Sequence, residues 1–263
     1  MLGVSRMLLV SAACCGVAAA GTAQTLDTSS QTPAATAQAD DQSRLLAAQQ
    51  RLLNDWPNLA RYRDDNAKLE APADGQPRVV FMGDSITDAW GRRLGVSFFA
   101  GKPYVNRGIS GQTTPQMLIR FRPDVIDLKP VVVVILAGIN DIAGNTGPTT
   151  LEAIEGHLTS MVELAQGNGI RVVLATVTPA IDFSWRSGME PAPKITALNT
   201  WIRAFTQTRG IVLLDYHAAL ATPEGGMKPG LASDGVHPTE EGYAVMGPLA
   251  ERAIAEALRQ PVK

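Results

Sequence analysis

Cysteine is almost missing from this chain. It has two, Cys14 and Cys15, and both fall in the first stretch. If that stretch is removed, the remaining chain has no disulfide and no thiolate metal site, and its stability must come from a core. Histidine is scarce, with three residues, His157, His217 and His237, so a search for a general base is short. Neither sign of charge dominates: 23 basic and 25 acidic side chains leave a formal net charge of −2. That balance gives no reason to expect nucleic acid or an anionic membrane as partner. After the first stretch no apolar run is long enough to span a bilayer. There is no internal repeat, and no Gly-x-Ser-x-Gly elbow.

The first stretch itself reads as a secretory leader. Arg6 precedes the uncharged, small and apolar run Met7 to Ala20, and Gly21-Thr22-Ala23 offers a cleavage site. The run is short for a membrane anchor. A lipoprotein signal around Cys14 is disfavoured by Ser11 three residues before it. The expected organisation is therefore a signal peptide over 1–23, a disordered linker over 24–41 rich in Thr, Ser, Ala and Gln, and one domain over 42–263. The mature chain, about 240 residues, suffices for one large α/β domain.

The domain opens with a helical extension from Gln42 to about Leu69. Leu45, Leu46, Leu52, Leu53, Trp56 and Leu59 recur on one face, and Pro57 breaks the run into two short helices packed on the domain. Short apolar runs follow: Arg78 to Met82, Tyr104 to Arg107, Val131 to Ala137, Ile170 to Val177 and Ile211 to Leu214. They read as parallel strands buried on both faces. Helical segments alternate with them, clearest over Thr150 to Ala165 and Lys194 to Thr206, less clear over Pro115 to Leu128 because of Pro123. Alternation of this kind predicts an α/β fold with a doubly wound, five-stranded parallel sheet between two helical layers.

In such a sheet, chemistry sits at the carboxyl ends of the strands. Gly83-Asp84-Ser85-Ile86-Thr87 follows the first strand, and Ser85 is exposed there beside the N–H groups of the next helix. A serine is a weak nucleophile without a base. His157 is mid-helix and reads as a packed or surface residue. His217 lies near the functional edge, with no partner spacing to support it. His237 lies three residues after Asp234 on a Gly-containing turn, so one short loop can carry a base and its carboxylate. The same residues could simply lead into the last helix, with Thr239 as its cap. Donors for an oxyanion are available from the Ser85 N–H, from the Gly108 N–H after the second strand, and from the Asn140 side chain after the third. Asn140 and Gly108 read equally well as turn residues when taken singly.

Together the loops resemble the four sequence blocks of the SGNH (GDSL-type) hydrolases. They read Gly83-Asp84-Ser85-Ile86-Thr87, Asn106-Arg107-Gly108-Ile109-Ser110-Gly111, Gly138-Ile139-Asn140-Asp141 and Asp234-Gly235-Val236-His237-Pro238, in order, over Val79 to Leu258. Ile86 stands where the family name has Leu. The resemblance implies a flavodoxin-like strand order 2-1-3-4-5. It implies Ser85 as nucleophile, His237 as base, Asp234 as its partner, and Ser85, Gly108 and Asn140 as the oxyanion site. No metal or organic cofactor is needed for that chemistry, and Ser110 is left without an acid–base pair. Val79 to Asp141 is most similar to the platelet-activating-factor acetylhydrolase-like and carbohydrate acetylesterase branches. Those branches imply an esterase acting on short, often acetyl, esters of small alcohols or carbohydrates, and the leader places it as secreted or periplasmic. A lysophospholipase or thioesterase on the same residues, and a silent glycan-binding protein, are the rival readings. The irregular stretch Ala180 to Pro193 carries Phe183, Trp185 and Arg186. Trp185 and Arg186 are candidates to line the substrate pocket, although Trp185 could equally pack against a helix. Trp90 reads as core.

Overall fold

The structure is a computed structural model, and it describes residues 33–72, 75–92 and 96–262. The leader expected over 1–23 and residues 24–32 of the expected linker lie outside the described residues. Helix α1 spans Pro33–Asn54 and crosses the boundary between two compact units, which falls between Ala48 and Gln49. Residues 33–41, expected to be linker, are thus helical. Proline in the first turn and an alanine-rich sequence favour helix without any apolar face. Leu45, Leu46 and Leu53, expected to pack inward, are exposed.

Everything else belongs to the larger unit. After a turn at Trp56-Pro57 comes the short helix α2, Arg63–Lys68. The strands are β1 Val79–Gly83, β2 Tyr104–Gly108, β3 Val132–Leu136, β4 Arg171–Ala175 and β5 Val212–Leu214. They pair in parallel in the order β2-β1-β3-β4-β5, as the resemblance implied. Between them run α3 Ser85–Ala89, α4 Thr114–Asp124, α5 Ile139–Ile142, α6 Leu151–Gly167, α7 Ala192–Arg209, α8 Tyr216–Leu220 and α9 Glu240–Arg259.

Side-chain alternation along each strand divides the core into two layers. Val80, Met82, Val133, Ile135, Val172 and Leu174 face α4, α6 and α7. Val79, Phe81, Val132, Val134, Val173 and Ala175 face α8, α9 and Trp90. Every residue of β1 and β3 is buried, which is why those strands read as unbroken apolar runs. Trp90 is core, in an aromatic cluster with Phe81, Phe98, Phe99 and Tyr243.

Helix starts are fixed by side-chain caps at the sheet's carboxyl edge. Asp84 accepts from Ile86 N–H, Thr150 from Ala153, Asp215 from Ala218 and Thr239 from Gly242. Thr113 and Gln116 form a capping box on α4. Each cap ends its loop at a definite residue, so the loops are short and their side chains are held. Among the described residues no helix is long and apolar enough to cross a membrane.

Candidate active site

The strand order reverses direction beside β1, and the crevice at that point is where open α/β sheets place ligands. Ser85 stands directly after β1, as the first residue of α3. Its Oγ lies 2.9 Å from His237 Nε2, and His237 Nδ1 lies 2.8 Å from Asp234 Oδ2. A carboxylate can only accept, so Nδ1 carries the proton. Nε2 is then left to accept from the Ser85 hydroxyl.

The loop that carries Asp234 and His237 is folded on itself. Asp234 Oδ1 accepts from the backbone N–H of Val236 and His237 at 3.0 and 2.8 Å. Gly235 supplies the positive φ of 84° that this turn requires, and the buried side chain of Val236 anchors it. Partial burial works to raise the Asp234 pKa. The hydrogen bonds from His237 N–H, the imidazole and Val236 N–H outweigh it and hold the carboxyl below the usual carboxylate range. The cap reading of this loop holds as well: Thr239 starts α9 two residues later.

Asn140 opens into the same crevice from α5 after β3. Asn145 Nδ2 donates to its Oδ1 at 2.8 Å, and its own Nδ2 donates to Gln112 O at 3.0 Å. Both contacts agree on which end of the amide is nitrogen, and they leave its second N–H unspent. Gln112 is a hub. Its side chain donates to Pro57 O and accepts from Arg120. Arg120 is fully buried, pairs with Asp124 and donates to Gly83 O at 3.0 Å. One network therefore joins the turn before Ser85 to the Asn140 amide.

Gly108 does not match its expected role. Its N–H donates to Asn106 Oδ1 at 2.9 Å. A Cβ there would stand 2.1 Å from Asp88 N. Gly108 is a glycine because β2 passes α3 at contact distance. The neighbouring Gly111 has φ of 79°, room for a Cβ at 4.0 Å from Asn145 Nδ2, and no acceptor for its N–H among the described residues. Its carbonyl accepts from Asn145, the residue that holds Asn140. The reading of the sequence missed Gly111 and Asn145. The signal for Gly111 was the second glycine of Gly108-Ile109-Ser110-Gly111; Asn145 had none.

The other candidates separate clearly. Ser110 Oγ donates to Asp88 at 2.7 Å and has no histidine beside it. His217 lies in the first turn of α8, where burial first and Arg203 second push its pKa down. His157 is more than a bland helix residue. Its Nδ1 lies 2.9 Å from Thr114 Oγ1, whose hydroxyl donates to Asp141 at 2.6 Å. Asp141 also accepts from Thr114 N–H, so this chain clamps the Asn140 loop to α4. Trp185 is 41 % exposed, stacks on buried Phe183, and lies 5.7 Å ring to ring from His237. Its Nε1 faces Asn145 Oδ1 at 3.3 Å. Arg186 donates to the carbonyls of Ala143 and Gly144 and lines a cavity of about 680 Å3 with Ile142, Leu151, Ile154, Met189 and Lys194. Among the described residues no cluster of His, Cys, Asp and Glu could hold a metal ion.

Asp84, beside the serine, is fully buried, and its Oδ2 has no partner among the described residues. Burial pushes its pKa up to about 6. A raised carboxyl favours folding while protonated, and that benefit is lost as pH rises through the folded value. Compared with Asp84→Asn, the wild type is expected to lose about 2 kcal/mol of stability between pH 4 and pH 7. Denaturant melts of both proteins across that range measure it, and a difference independent of pH would contradict the burial argument.

Residues 81–245 match the family model described as GDSL-like lipase/acylhydrolase. The solved structure of an acylhydrolase from Bacteroides fragilis NCTC 9343 is similar to this one, with 46% identity and a TM-score of 0.75, over 78% of this chain and 99% of that one. Two curated relatives match shorter stretches. An uncharacterised lipoprotein, YqeF, from Bacillus subtilis (strain 168) is 35% identical over 124 residues, 41% of this chain and 51% of the relative. An acetylxylan esterase from Geobacillus stearothermophilus is 36% identical over 87 residues, 25% of this chain and 40% of the relative. The chain thus spans about half or less of the length of these two relatives. The matched region runs from β1 into α9 and contains Ser85, Asn140, Asp234 and His237: the chain belongs to the GDSL-like lipase/acylhydrolase family.

Proposed function

We propose that this protein is an exported serine esterase that removes short acyl groups, acetyl foremost, from small alcohols or carbohydrates. The observation that carries the reading is the line Ser85 Oγ–His237 Nε2–Asp234, at 2.9 and 2.8 Å. Ser85 Oγ attacks the ester carbonyl as its proton passes to His237 Nε2. The carbonyl oxygen becomes an oxyanion, held by the N–H of Ser85, the N–H of Gly111 and the free N–H of Asn140. As the intermediate collapses, the bond to the alcohol breaks and His237 returns the proton to the leaving oxygen. Water, deprotonated by the same histidine, then attacks the acyl-enzyme and releases the acid.

Export is supported by the leader-like stretch and by the similarity to a lipoprotein. The acetyl preference is supported by the similarity to an acetylxylan esterase. A second reading, a longer-chain acylhydrolase, is favoured by the 680 Å3 cavity with its apolar residues Ile142, Leu151, Ile154 and Met189. Acetyl and octanoyl esters of the same phenol separate the two readings.

A fluorophosphonate probe tests the nucleophile, because it reacts only with an activated serine. One adduct is expected, on the peptide containing Ser85. Labelling of Ser110 instead, or no labelling of folded protein, would overturn the assignment.

A further inference from the structure

A second cavity, of about 380 Å3, lies against the proposed oxyanion site. It is lined by Asp55, Trp56 and Asn58 together with Ser110, Gly111 and Asn145. The first three belong to the segment before β1, outside the stretch that matches the family model. We propose that Asp55 to Asn58 form a carbohydrate subsite that holds the sugar part of an acylated glycan. This rests on the esterase reading above and names its substrate class.

The segment is built to hold still. Gln116 Nε2 donates to Trp56 O and Gln112 Nε2 to Pro57 O, both at 2.7 Å. Asp55 caps the next turn, accepting from Leu59 and Ala60 N–H at 2.7 and 2.9 Å. Asn58 sits at φ of 56°, a conformation that asparagine tolerates better than most residues. Tyr62, fully buried, bonds to Gly108 O. The backbone is thus anchored at both ends of the cavity wall, while the side chains of Trp56 and Asn58 have no hydrogen-bond or ring partner among the described residues.

The chemistry of the wall selects a sugar. The Trp56 indole, 37 % exposed, offers an apolar face to the C–H face of a pyranose. The Asn58 amide, without a partner among the described residues, offers donors and an acceptor to hydroxyl groups, and the Asp55 carboxylate keeps lone pairs beyond those that cap the next turn. An alkyl chain in the same place would bury the Asn58 amide without partners, at a cost in free energy. The volume lies in the range of small-molecule sites, about 300–1,000 Å3. Asn145 joins the subsite to the chemistry. Its Nδ2 holds both Asn140 Oδ1 and Gly111 O, so a sugar hydroxyl that donates to Asn145 Oδ1 touches the side chain that orients the Asn140 amide.

The test compares wild type, Trp56→Ala and Trp56→Phe on acetylated xylotetraose and on 4-nitrophenyl acetate, which has no sugar. In Trp56→Ala the ratio of kcat/KM for the oligosaccharide to that for the aryl ester is expected to fall about five- to tenfold, through KM, as loss of one aromatic stack requires. Trp56→Phe, which keeps a ring, is expected to stay within about twofold of wild type. A ratio unchanged in Trp56→Ala, or equal losses on both substrates, would overturn the subsite. Calorimetric binding of unacetylated xylotetraose to wild type and to Trp56→Phe reads the subsite without turnover and without the alanine variant. Absence of binding to both also overturns it. Failure of the esterase reading looks different: the wild type would not hydrolyse the aryl ester at all.

Discussion

Ser85→Ala is expected to lower kcat on 4-nitrophenyl acetate by about four to six orders of magnitude. The substitution removes one atom, whose only hydrogen-bond partner among the described residues is His237 Nε2. The cap of α3 is the side chain of Asp84, which is untouched, so the melting temperature should stay near that of wild type. The Ser85 backbone N–H also survives, and the oxyanion donors with it. Any residual rate therefore reports those donors acting on attack by water. His237→Ala should cost about as much, and the double variant little more, because the two groups act as one unit. A folded Ser85→Ala protein that keeps a tenth of its activity would remove Ser85 from the nucleophile's role.

Much of this site was legible before any coordinate. Strands buried on both faces leave a plain mark in the sequence, and Ser85 and Asn140 follow two residues after β1 and four residues after β3. Asp234-Gly-Val-His237 was legible because spacing and the turn glycine sit in one short loop. Gly108 and Gly111 could not be told apart in this way. Which N–H is free depends on the Asn106 side chain reaching back to Gly108 and on α3 pressing where a Cβ would be. Both are contacts across the fold. Helices α5 and α8 are too short for a 3.6-residue period to appear in them. At the other extreme α1 is long, but its alanine-rich start has no large apolar residue to mark a helical period, and there propensity governs. His157 looked bland because its partner Thr114 comes from α4, far away in sequence.

Asn140→Ala is expected to lower kcat by about 10²–10³ with little change in KM, a loss of about 2.7–4 kcal/mol of transition-state stabilisation. An amide aimed at a developing oxyanion gains most when the charge forms, so its removal spares ground-state binding. The substitution has a second consequence. Gln112 O loses a donor and Asn145 Nδ2 loses an acceptor, so folding stability should drop by about 1–3 kcal/mol as well. Stability loss alone would reduce the amount of active protein and leave KM and chemistry per molecule intact. Active-site titration with the fluorophosphonate probe gives that amount, and kcat per titrated site separates the two effects. Asn145→Ala adds an internal comparison. It keeps the Asn140 amide but frees its orientation and that of Gly111, so its loss in kcat should be real and smaller than that of Asn140→Ala. If instead Asn140→Ala raised KM at unchanged kcat per site, Asn140 would be binding substrate in its ground state. The oxyanion would then rest on the backbone N–H groups of Ser85 and Gly111 alone.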